Sequence, residues 1–98
     1  MISVQFLPLA RKELKATGAF YNLQRPNLGN RFADEANRIY GMIAINPQFG
    51  HPIDQGYRRA NLKTFPYYFA YIVRKEKVLI AAVAHSSRRP NYWIDRIR

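Results

Sequence analysis

Ile2, Val4 and Phe6 alternate with Ser3 and Gln5, the period of two expected of a short strand with one buried face. Pro8 closes that run and suits the first turn of a helix, where its missing N–H leaves no bond unmade. Leu7, Ala10, Leu14 and Tyr21 then recur at helical spacing, with Arg11, Lys12 and Lys15 elsewhere on the wheel, and Gly18 weakens the helix without forbidding it. Pro26-Asn27-Leu28-Gly29-Asn30 has the chemistry of a turn. Beyond it Phe32, Ala36, Ile39 and Ile43 make an apolar stripe with Arg31, Asp34, Glu35 and Arg38 off it, and Asn46-Pro47 stops this second helix. So short a turn predicts an antiparallel helix hairpin. The stretch holding Gly50, His51, Pro52 and Gly56 reads as a surface loop.

From Tyr57 the period returns to two. Arg59, Asn61 and Lys63 should face one way and Arg58, Ala60 and Leu62 the other, provided no bulge intervenes. A bulge would exchange the roles of Arg58 and Arg59; without one, Arg58 would lie beside the helices or pair with a carboxylate such as Glu35. Tyr67 to Val73 and Val78 to Ala84 are apolar on both faces, as central strands are, with Arg74-Lys75-Glu76-Lys77 a polar hairpin between them. Phe65-Pro66-Tyr67 reads as structure, its proline held to a strand start or edge. The order is strand, helix, helix, strand, strand, strand and a short tail. This is an α+β fold, a small and mostly antiparallel sheet with the helix hairpin packed on one face and the other face open.

Composition adds sign and scale. The 98 residues suit one domain with a modest core, spanning 1–98. Sixteen Lys and Arg against six Asp and Glu give a formal charge of +10, unevenly spread: residues 1–56 hold six basic and four acidic side chains, residues 57–98 ten and two. Such a field attracts nucleic acid, an anionic membrane or an acidic protein. Cysteine is absent and only His51 and His85 offer imidazole, which excludes a disulfide framework and a thiolate nucleophile and argues against a metal site. With no long uncharged apolar run, a signal peptide and a membrane span are not expected, and a cytoplasmic location follows. No cofactor is expected.

The chemistry gathers at the last strand's end, where Ala82-Val83-Ala84 runs into His85, Arg88, Arg89, Tyr92, the only Trp (Trp93) and Arg96. These groups could hold phosphate, move protons or stack on bases. Each also has a structural reading. His85 falls in phase with Leu79 and Val83 and could close the core edge; Arg88 and Arg89 could be solvated, Arg89 the more so; Tyr92 and Trp93 could cover the sheet end.

With its opening strand, Gly29-Asn30-Arg31-Phe32, the Asn46-Pro47 stop, Arg58-Arg59, Phe65-Pro66-Tyr67, Tyr71 and His85 through Arg96 in this order, the chain resembles the RelE/ParE superfamily of bacterial toxins over nearly its whole length. The resemblance implies the toxin half of a type II toxin–antitoxin pair, neutralised by an acidic antitoxin that wraps it. Two targets are implied: DNA gyrase, bound without nuclease chemistry in ParE-like members, or messenger RNA on the ribosome, cut by RelE-like members. A nuclease would draw on Lys63, His85, Arg88 and Tyr92, with Arg59; target or RNA binding would draw on Arg58, Arg59, Lys63, Arg88, Arg89, Tyr92, Trp93 and Arg96. RelE-like nucleases place Arg where this chain has Lys63, and Arg at the strand end where it has His85-Ser86. Lysine lacks the bidentate fork that suits phosphate, so ParE-like action is expected ahead of cleavage. A non-toxic domain that only binds antitoxin or acts as corepressor is the third reading.

Overall fold

The computed structural model describes residues 2–97. Strand β1 (Ser3–Phe6) leads into α1 (Pro8–Gln24) and α2 (Leu28–Ile45), followed by β2 (His51–Pro52), β3 (Arg58–Asn61), β4 (Tyr67–Arg74) and β5 (Lys77–His85). The sheet order is β1-β5-β4-β3-β2; β1 runs parallel to β5 and every other pair is antiparallel. The α+β architecture expected from the periodicity is therefore present, with one addition. His51–Pro52, expected in a loop, pair with Arg58–Arg59 as a two-residue edge strand. Its exposed His and Pro carry no apolar signal, and Pro is tolerated at an edge because one N–H side faces solvent.

The helix hairpin packs on one face through the stripes the sequence shows. Phe32, Ala36, Ile39 and Ile43 are buried with Ala10 against Ala60, Phe69, Tyr71, Ile80 and Val83. The connection is shorter than the turn chemistry suggests, because Leu28, Gly29 and Asn30 already belong to the first turn of α2. Gly29 is where the helices touch. A side chain there would overlap the Gly18 carbonyl oxygen and stand 2.7 Å from Asn22 Cγ, and the Gly29 N–H donates to Asn22 Oδ1 at 2.8 Å.

The expectation of an open second face is overturned. Residues 90–97 fold across it with Trp93 at the centre, fully buried among Tyr57, Tyr68, Ala70, Ala82 and Ala84. The alanines explain the socket: four of them, Ala70, Ala81, Ala82 and Ala84, leave the centre of β4 and β5 without bulk, and a close-packed interior fills such a hollow with one large ring. Trp93 Nε1 donates to the Tyr68 hydroxyl at 3.2 Å and the Tyr57 hydroxyl to the Ile94 carbonyl at 3.2 Å, so the polar atoms under the tail are satisfied.

A β-bulge sets the phase of the last strand. Ala70 pairs with Ala82 but Tyr71 with Ile80, which leaves Ala81 as the extra residue. Leu79 consequently packs on the tail side while Val83 packs on the helix side. His85 keeps the phase of Val83 and not that of Leu79, a correction to the simple alternation.

Candidate functional site

Beyond β5 the chain turns at Ser86–Pro90, all exposed, before the tail docks. The Arg88 N–H donates to the His85 carbonyl at 3.1 Å and the Ser86 N–H to the Pro66 carbonyl at 2.8 Å, so the loop leaves the sheet in a defined direction. Arg88 is 58% exposed, with its guanidinium 3.8 Å from the centre of the Tyr92 ring and 3.8 Å from Glu13 Oε2. Arg89 beside it is exposed and its side chain has no partner among the described residues.

Glu13 of α1, which no sequence motif marks, organises this region. Its Oε1 accepts from the Val83 N–H at 3.0 Å and from Arg96 at 2.9 Å; its Oε2 accepts from the Tyr92 hydroxyl at 2.6 Å and from Arg96 at 3.0 Å. Burial alone would raise the Glu13 pKa, but the hydrogen bonds from Arg96, Tyr92 and Val83 prevail and hold it below the ordinary carboxylate value. Tyr92 moves the other way: burial and the hydrogen bond to the Glu13 anion hold its phenol protonated far beyond the usual range. Arg96, 16% exposed, also donates to the Ala81 carbonyl at 2.9 Å. Arg96 therefore faces inward and fastens the tail.

The remaining candidates are distributed over both faces. Arg59 lies on the tail side with its guanidinium 3.8 Å above the Tyr68 ring and its Nε donating to Asn61 Oδ1 at 2.8 Å. Arg58 lies on the helix side and donates to the carbonyls of Gly50 at 2.5 Å and Gln48 at 3.3 Å, not to Glu35. Glu35 instead accepts the backbone N–H groups of Lys63 and Thr64. Because β3 ends at Asn61, Lys63 does not continue its alternation; it lines a shallow depression of about 590 Å³ with Arg31, Asp34 and Arg38 of α2. Arg59 and Lys63 thus do not share the face expected of them. His85 sits edge-on to Tyr67 with ring centres 5.0 Å apart. Its Nδ1 accepts from the Ser87 N–H at 3.0 Å and lies 2.7 Å from Ser87 Oγ. With Nδ1 accepting from Ser87, the ring presents Nε2–H as a donor.

No hydrogen bond, ion pair or ring contact joins any two of Arg59, Lys63, His85 and Tyr92 among the described residues; the structure brings Arg88 and Arg96 together around Tyr92, their guanidinium groups 3.8 and 5.1 Å from its ring centre. Trp93 is wholly enclosed and touches nothing outside the molecule. Among the described residues no group of three or more His, Asp or Glu is arranged to hold a metal, and no helix is long and apolar enough to cross a membrane.

The family model for the ParE toxin of the type II toxin–antitoxin system parDE matches residues 4–90. The chain belongs to the ParE toxin family. A solved structure described as a chromosomal ParDE toxin–antitoxin system from P. aeruginosa has the same fold, with a TM-score of 0.77 at 18% identity, over 87% of this chain and 96% of that one. No curated protein matches at a significant level. As a ParE-family toxin the chain is one half of a pair whose other half is an antitoxin. The family match ends at Pro90, so the docked segment that carries Tyr92, Trp93 and Arg96 lies beyond it.

Proposed function

We propose that this chain, acting as one toxin domain over residues 1–98 in the cytoplasm, arrests growth by binding DNA gyrase and is silenced by a cognate acidic antitoxin. The observation that carries this reading is the state of the last strand's end. A nuclease needs a group to take the 2′-hydroxyl proton, cations on the phosphorane and a proton donor for the leaving oxygen. Here the Tyr92 proton is committed to Glu13, the His85 Nδ1 to Ser87, and the sheet face that would cradle RNA is filled by Trp93. What remains exposed is a binding surface: a short loop presenting Arg88 and Arg89, on a chain of charge +10. Cations so placed steer and orient an acidic protein partner.

Two assays on the purified chain decide between the targets. Added to gyrase, it should suppress supercoiling, and prior mixing with the antitoxin should restore it. Added to translating ribosomes, it should leave transcripts intact. New messenger ends with unimpaired supercoiling would establish the cleavage reading in its place, and harmless overexpression of folded protein would establish the non-toxic one.

A further inference from the structure

We propose that Glu13 is a positioning residue for toxicity: from α1 it fixes the tail, and through the tail the pose of the Arg88-Arg89 loop that meets the target. This rests on the toxin reading but not on gyrase being the target.

The argument begins with saturation. A carboxylate offers about four acceptor sites, and Glu13 fills them with the Val83 N–H, the Tyr92 hydroxyl and both terminal nitrogens of Arg96. The donors come from three different parts of the tail's attachment. Val83 is in the β5 segment beyond the Lys77–Ile80 stretch that pairs with β1, so Glu13 serves an edge N–H that no strand covers. Tyr92 is the platform over which Arg88 stacks. Arg96 closes the far end of the tail and ties it to the Ala81 carbonyl on the same edge. One side chain of α1 thus joins strand edge, stacking platform and tail end, and Arg88 touches both the platform and the carboxylate.

The chemistry makes the position intolerant of its closest isostere. Glutamine replaces one acceptor oxygen with an NH2 donor. In one orientation that donor faces the Val83 N–H and Arg96, and in the other it faces Arg96 beside a Tyr92 hydroxyl that must turn round to accept, so in either case a hydrogen bond from Arg96 is lost. The other fastenings, Asn91 to Asp54 at 2.8 Å, Trp93 to Tyr68 and Tyr57 to the Ile94 carbonyl, lie on the second face and hold the middle of the tail, not the Arg88 platform. Loss of Glu13 should therefore loosen the two ends while Trp93 keeps the fold closed.

The test compares wild type, Glu13→Gln and, as a control for the change in net charge, Glu76→Gln in the exposed β4–β5 turn, by amide hydrogen exchange and by induction-titrated growth arrest. In Glu13→Gln, the Arg88 and Arg96 amides at the two ends should exchange at least about tenfold faster while the Ile94 amide and α2 keep their protection, and arrest should need at least about tenfold more toxin. Glu76→Gln should match wild type in both. If α2 also loses protection, Tyr92→Phe, which deletes one of the four donors, replaces it and should show the same local loosening and weakened arrest. Unchanged exchange in the tail, or faster exchange with undiminished arrest, overturns the proposal. A wild-type chain that arrests nothing removes the toxin reading itself, and the exchange data then show separately whether Glu13 holds the tail.

Discussion

Glu13 shows how a single carboxylate can carry a sign of pH dependence opposite to what burial alone would give. Burial opposes its ionisation, and the donors from Arg96, Tyr92 and Val83 more than reverse that. A carboxyl with a depressed folded pKa contributes stability that is complete above its unfolded value, 4.5 here, and is lost as the pH falls through the lower folded value. Glu35, where burial pushes the pKa up but the Thr64 and Lys63 backbone donors together more than offset it, has the same sign and the same window. Thermal melts followed by Trp93 fluorescence should be flat from about pH 7 to 5 and fall steeply below about 4.5; equal midpoints at pH 7 and 3 would contradict this. The sequence does not announce Glu13, since an acid among Arg11, Lys12 and Lys15 looks like a solvated helix charge. Its meaning depends on Tyr92 and Arg96, which lie more than seventy residues away. The phase of His85 is hidden for a related reason: the bulge at Ala81 changes the phase between Leu79 and Val83, and nothing in a continuous apolar run marks it.

At the level of elements, the apolar stripe of α2 and the period-two runs of β4 and β5 were fully legible, because their burial follows directly from spacing. The tail's destination was not, since an aromatic at a strand end fits a binding platform as well as a lid. The helix–helix crossing makes a prediction of its own. Gly18→Ala adds a methyl whose nearest neighbour outside its own helix is the Gly29 oxygen at 4.0 Å, and should stabilise by about 0.5–1 kcal/mol. Gly29→Ala forces α1 and α2 apart and should destabilise by about 2–3 kcal/mol. Equal effects of the two in urea unfolding would refute this account of the crossing. The β4–β5 turn is similarly specific. Lys75 and Glu76 both have positive φ, 49° and 62°, the pattern of a two-residue hairpin turn that favours Asn-Gly. Replacing Lys75 with Asn and Glu76 with Gly should raise stability by about 1–2 kcal/mol, read as a higher melting temperature, and no rise would mean that the turn carries no strain.

On the scale of the whole molecule, three of the six acidic side chains are engaged in holding the fold, while the cations at the end of β5 stay exposed. Glu13, Glu35 and Asp54 are engaged with the tail or with backbone N–H groups, and the ion pairs seen among the described residues both involve Glu13. A chain of charge +10 presents positive potential, and the exposed turn at Ser86–Pro90 brings two adjacent guanidinium groups to its rim. The charge asymmetry was visible in the sequence; that Arg96 turns inward and Trp93 disappears beneath the tail was not. Binding of the purified chain to DNA gyrase, compared with binding of a chain carrying both Arg88→Glu and Arg89→Glu, tests the central claim most directly. The wild-type chain should bind, more weakly as salt rises, and the double variant should bind at least about tenfold more weakly with its tail still docked. A wild-type chain that does not bind, or a double variant that binds equally well, would contradict the account.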